Sequence, residues 1–105
     1  MEINKNSSDV ISLAQAAKYT HSYQKENPGA IKSFFAGTEK LNLILQQEGC
    51  IGIRIYNGYN EAEKRANLVL VGVDGMGEDM TKGVILQELT PCPSVCPKSS
   101  ELMSY

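Results

Sequence analysis

At 105 residues, 42% hydrophobic and 21% charged, the chain is long enough for one core and too apolar for a disordered polymer. Its net charge of −2, from ten basic and twelve acidic residues scattered along the sequence, supplies no basic stripe for phosphate backbones and argues against nucleic acid as a partner. The opening MEINKNSSDV has no apolar signal region, and no window approaches the roughly 18 apolar residues of a membrane span, so a cytoplasmic protein without membrane contact is expected.

A single domain over 1–105 is expected, with a flexible N-terminus at 1–8 and a proline-rich tail at 90–105. Ser7, Ser8 and Asp9 offer capping oxygens ahead of Val10, Leu13, Ala14, Ala17 and His21, whose spacing predicts an amphipathic helix over 9–25. Asn27, Pro28 and Gly29 end it. Periodicity leaves IKSFFA, 31–36, open between strand and helical turn, and a short strand is the expectation. Thr38 as N-cap, Leu41, Ile44 and Leu45 on one stripe, and Gly49 as the stop then predict a second helix.

CIGIRIYNGYN alternates strictly, placing Ile51, Ile53 and Ile55 on one face and Gly52, Arg54 and Tyr56 on the other. The near-continuous apolar run LVLVGVD fits a strand covered on both faces and antiparallel to the first. VILQEL alternates as a third strand, beyond which the prolines cannot extend a sheet interior. The expected fold is α+β, with two helices packed on an antiparallel sheet of three to four strands in two layers. Val10, Leu13, Ala17, Leu41, Ile44, Leu45, Ile53, Ile55, Val69 and Val71 are its expected core.

Four groups of residues could carry chemistry. Arg54 is the one full charge within the first long strand and presents a planar fork to an anion, with Gly52 leaving room and Tyr56 and Tyr59 extending the surface. The alternative is a cross-sheet pair with Asp74 or Glu88. Cys92 and Cys96, fenced by prolines in PCPSVCP, join Cys50 and His21 as a Cys₃His set suited to zinc or iron, although C-x-x-x-C is not the usual zinc spacing. Buried free thiols, or a disulfide between the two tail cysteines, compete with that reading, and an odd thiol count in a reducing compartment argues against disulfides. Asp74, Glu78 and Asp79 in DGMGED offer oxygen ligands to a hard cation or form an ordinary solvated turn. No phosphate loop, nucleophile elbow or second histidine is present, so no catalytic residues are named.

ILQQEGCIGIRIY, LVLVGVDGMGEDM and PCPSVC, over about residues 44–96, resemble a group of small uncharacterised bacterial proteins of Bacteroidetes type. Those share an IL-x-Q-x-x-C-x-G-I-R-x-Y core, a V-G-V-D strand end and a terminal C-P-x-x-C. The resemblance implies no activity, ligand or cofactor. The expected function is a protein-interaction or assembly module without catalysis or cofactor, binding a partner protein or a second copy through the Arg54 and Tyr56 face or an open strand edge. The alternative is the zinc or iron module.

Overall fold

A computed structural model describes residues 2–104 of the chain. It is an α+β fold with element order α1 (Leu13–Glu26), β1 (Ser33–Phe35), α2 (Thr38–Leu45), β2 (Gly52–Tyr56), β3 (Tyr59–Asn60), β4 (Arg65–Ala66), β5 (Val69–Val73), β6 (Ile85–Leu86) and β7 (Thr90–Cys92). The residues gather into two compact units, one formed by 35–90 with the N-terminal residues to Ser7, the other by 8–34 and the segment from Pro91 onward.

The first unit is built on a three-stranded sheet of order β2-β5-β6. Antiparallel pairing sets Gly52 opposite Val73, Arg54 opposite Val71 and Tyr56 opposite Val69, with Leu70 then facing Leu86. The central position of β5 accounts for its unbroken apolar run, since Leu70, Val71, Gly72 and Val73 are all buried. The polar stretch between β2 and β5 folds on itself as the small β3-β4 hairpin.

The helix that packs on β2 and β5 is α2, and it buries Ile44 completely. Gly72 suits this close approach, because a Cβ there would lie 2.8 Å from Gln47 Nε2, 3.2 Å from Ile44 Cγ2 and 3.3 Å from Cys50 Sγ. Gln47, just past the helix, accepts a hydrogen bond from the Val84 backbone N–H at 2.8 Å and donates to the Ile44 carbonyl at 3.0 Å. One side chain thereby ties the end of α2 to the segment that enters β6. With eight residues, α2 is only about 12 Å long and spans part of the sheet. Ile55, expected in the core, is exposed on the uncovered part, and Leu45, also expected there, is exposed because it lies one residue beyond the buried Ile44 on the helix, off its packed face.

The second unit corrects the expected first helix. Ser12, not the 7–9 cluster, is the N-cap, with its hydroxyl accepting from Gln15 N–H at 3.1 Å. Val10 therefore precedes the helix and is fully exposed, Leu13 faces outward, and His21 is exposed rather than in the core. The partly buried line of α1 is Ala16, Ala17, Thr20 and Gln24, at three and four residue spacing. It is covered by polar contacts with the C-terminal segment. The Leu102 carbonyl accepts from Thr20 Oγ1 at 2.8 Å and from Gln24 Nε2 at 3.1 Å, and Gln24 Oε1 accepts from Ser104 N–H at 2.8 Å. The residues expected to form a tail thus dock along α1.

β1 and β7 pair as a separate two-stranded sheet, in which the Lys32 N–H also reaches the Cys92 carbonyl at 2.7 Å. Pro91 is accommodated because a two-stranded sheet has only edge strands.

Candidate functional site

Two places in the first unit bear on function. The first is the face of β2 that carries Arg54 and Tyr56. After β5 the chain turns through 74–78 and returns so that Asp79 lies beside Val73. Asp74 organises this turn, its Oδ1 accepting from the Met76 and Glu78 backbone N–H groups at 2.9 and 3.0 Å. Register then puts Gly52, Val73 and Asp79 on one face, with Arg54 one step along. Arg54 Nη1 meets Asp79 Oδ1 at 2.5 Å and also donates to the Gly77 carbonyl at 3.3 Å. Tyr56 donates its hydroxyl proton to the other Asp79 oxygen.

The three groups fix one another's ionisation. Asp79 is held below the ordinary carboxylate range by the Tyr56 hydroxyl and by Arg54, against a smaller opposing effect of its partial burial. Tyr56 is pushed up, chiefly because its proton is shared with the carboxylate, and Arg54 is raised by the same partner. A carboxylate made less basic and a phenol made less acidic are poorly suited to proton transfer near neutral pH. The arrangement is a clasp that fastens the 74–80 loop to the side chains of β2. Arg54 has a carboxylate partner across the sheet, as expected, but it is Asp79 and not Asp74 or Glu88. Glu88 pairs with Arg65 at 3.4 Å. Tyr59, in β3, is exposed and takes no part in the clasp.

The acidic loop does not form a cation cage. Asp74 is turned to its own backbone, Asp79 to Arg54 and Tyr56, and Glu78 is exposed. The expected cysteine and histidine ligands are likewise not brought together. Cys92 and Cys96 form a disulfide, with Cα atoms 4.9 Å apart. Cys50 belongs to the other unit and directs its thiol to the Gly52 carbonyl at 3.2 Å. His21 donates from Nε2 to the Glu101 carbonyl at 2.9 Å, which makes it another fastening between α1 and the C-terminal segment. Among the described residues no group of three or more His, Cys, Asp or Glu is placed to hold a metal ion. The disulfide runs against the reduced thiols expected of a cytoplasmic protein.

The second place was not foreseen in the sequence. A groove of about 390 Å³ runs between α2 and the segment 85–90. Phe35, Leu43 and Ile85 line it and remain 68%, 49% and 50% exposed. Lys40 is its one lining cation and Glu88 its one lining anion. The groove lies along β6, which pairs with β5 on one side only. The signal that would have pointed to it is the i, i+3 pair Lys40 and Leu43, which falls outside the buried line of α2.

Among the described residues no helix is long and apolar enough to cross a membrane. Comparison of the chain with protein-family models, curated proteins and solved structures gave no match.

Proposed function

We propose that this chain is a small, non-catalytic interaction module that takes an extended segment of a partner protein along the β6 edge. One observation carries this reading. Three large apolar side chains, Phe35, Leu43 and Ile85, stand about half or more exposed around one groove beside a strand that has no neighbour on its outer side among the described residues. A strand paired on one side presents alternate N–H and C=O groups outward, which is the template for adding a further strand. The Arg54 and Tyr56 face is a weaker candidate, since Asp79 already engages both side chains.

The cytoplasmic assignment belongs to the same reading only in part. A disulfide between Cys92 and Cys96 favours an oxidising setting for the described form. The groove in 35–90 operates in either compartment.

The test uses Leu43→Arg and Ile85→Arg, both at exposed positions. The reading expects their melting temperatures to match the wild type, while proteins captured from native lysate by the wild type are lost. Retention of every captured protein by both variants would overturn the groove as the docking site. Sedimentation of the wild type alone distinguishes a foreign partner from a second copy.

A further inference from the structure

We propose that the Cys92–Cys96 disulfide is a reversible thiol switch, opened by a dithiol at Cys96, that sets whether the C-terminal segment stays docked on α1. Every group involved lies in the unit formed by 8–34 and the segment from Pro91 onward, so the switch does not depend on the groove.

The two sulfurs are unequally placed. Cys92 is 1% exposed and sits in β7, where its carbonyl accepts from the Lys32 N–H at 2.7 Å, whereas Cys96 is exposed just past the turn at 93–95. A disulfide is opened by a thiolate that reaches one of its sulfurs, so access directs the attack to Cys96. The thiolate of a dithiol reductant forms a mixed disulfide with Cys96 Sγ, the bond to Cys92 breaks, and Cys92 leaves with the electron pair and takes a proton. The reductant's second thiolate then attacks its own sulfur in the mixed disulfide and releases Cys96, which is protonated in turn. Two electrons and two protons pass to the protein, and the reductant ends as a disulfide. Cys92 remains as a buried thiol, which packs as a small apolar side chain.

Connectivity gives the bond its effect. It holds the Cα of Cys96 4.9 Å from that of Cys92, where four residues of extended chain reach roughly 14 Å. Beyond Cys96 come the contacts with α1: the Glu101 carbonyl with His21, the Leu102 carbonyl with Thr20 and Gln24, and the Ser104 N–H with Gln24. These hydrogen bonds are open to solvent and each contributes little alone, so they depend on the segment being delivered close to the helix. A disulfide that closes so short a loop adds little to overall stability, and it can open while the protein stays folded.

The test uses the full chain, oxidised and then reduced with dithiothreitol. It follows hydrogen exchange at the Ser104 N–H and the side-chain amide signals of Gln24. Reduction should speed exchange at Ser104 by about tenfold and move the Gln24 signals to their free-chain positions, while the β5 amides keep their protection. Reoxidation with glutathione disulfide should restore both. Cys50→Ser should respond as the wild type does, and the Cys92→Ser, Cys96→Ser double variant should show the reduced pattern with or without reductant. Incubation with glutathione, quenched in acid, should yield a mixed disulfide that peptide mass spectrometry places on Cys96.

Unchanged Ser104 and Gln24 signals after complete reduction would overturn the switch, as would a bond that dithiothreitol opens only in urea. Loss of β5 protection in step with Ser104 would overturn it in favour of a structural brace. Glutathione found on Cys92 would overturn the assignment of Cys96 as the attacked sulfur.

Discussion

Arg54 and Asp79, 25 residues apart in sequence, meet across the central strand at 2.5 Å, and Tyr56 fills the other oxygen of the same carboxylate. The 74–80 loop is therefore fastened to β2 through side chains, not through a strand pair.

Asp79→Asn keeps the shape of the clasp and removes its negative charge. We expect the melting temperature at pH 7 to fall by several degrees. Because folding depresses the Asp79 pKa, its contribution is complete above the unfolded carboxylate value near 3.9 and is lost as the pH falls through the folded value. The gap between wild type and variant should therefore close under acid. Tyr56 has the opposite sign of shift. Its contribution is present below about pH 10 and is lost as the pH rises through the raised value, so Tyr56→Phe should flatten the alkaline limb. A constant gap across both limbs would contradict the clasp.

Gln47→Leu removes the acceptor of the Val84 N–H and the donor to Ile44. Leaving that N–H without its partner should cost about 1–3 kcal/mol in urea unfolding. Hydrogen exchange should speed up first at Val84 and the neighbouring β6 residues.

Ile44→Ala empties a fully buried site and should cost about 2–5 kcal/mol, whereas Leu45→Ala, one residue on and half exposed, should stay within about 1 kcal/mol. Similar losses at both would mean that α2 packs through a different face.

Native protein purified without reductant should show one titratable thiol, Cys50, and three after reduction. Replacing Cys92 and Cys96 by serine should remove about 2 kcal/mol, as expected for so short a loop. Zinc or iron retained with all three thiols protected from alkylation would instead restore the ligand reading of PCPSVCP.

What the sequence disclosed follows the strength of its local patterns. The alternation of GIRIY and the unbroken run LVLVGV identified β2 and β5, because a strand covered on one face and a strand covered on two leave different signatures. The i, i+3 line of Leu41 and Ile44 identified α2. The stripe of α1 was misplaced because its inner face is completed by Thr20 and Gln24, whose backbone partners at 102 and 104 have no trace in hydropathy. That Arg54 would seek a carboxylate was legible in its position. The identity of Asp79 depended on the return of a loop, and the groove on where α2 stops covering the sheet. Both are tertiary facts.

Residues of these segments have distinct structural tasks. Ile44 fills the core, Gln47 buttresses β6, Gly72 admits the helix, Asp74 shapes its loop, and Arg54 with Tyr56 closes the clasp. These residues form a frame, while Lys40, Leu43 and Ile85 line the groove.

The division of the chain also has a temporal side. Every residue of the 35–90 unit has been added to the chain by residue 90, whereas α1, made early, waits for the carbonyls and amides of 101–104. Residues 91–104 therefore complete both the β1-β7 pair, in which Phe35 of the groove stands, and the cover of α1.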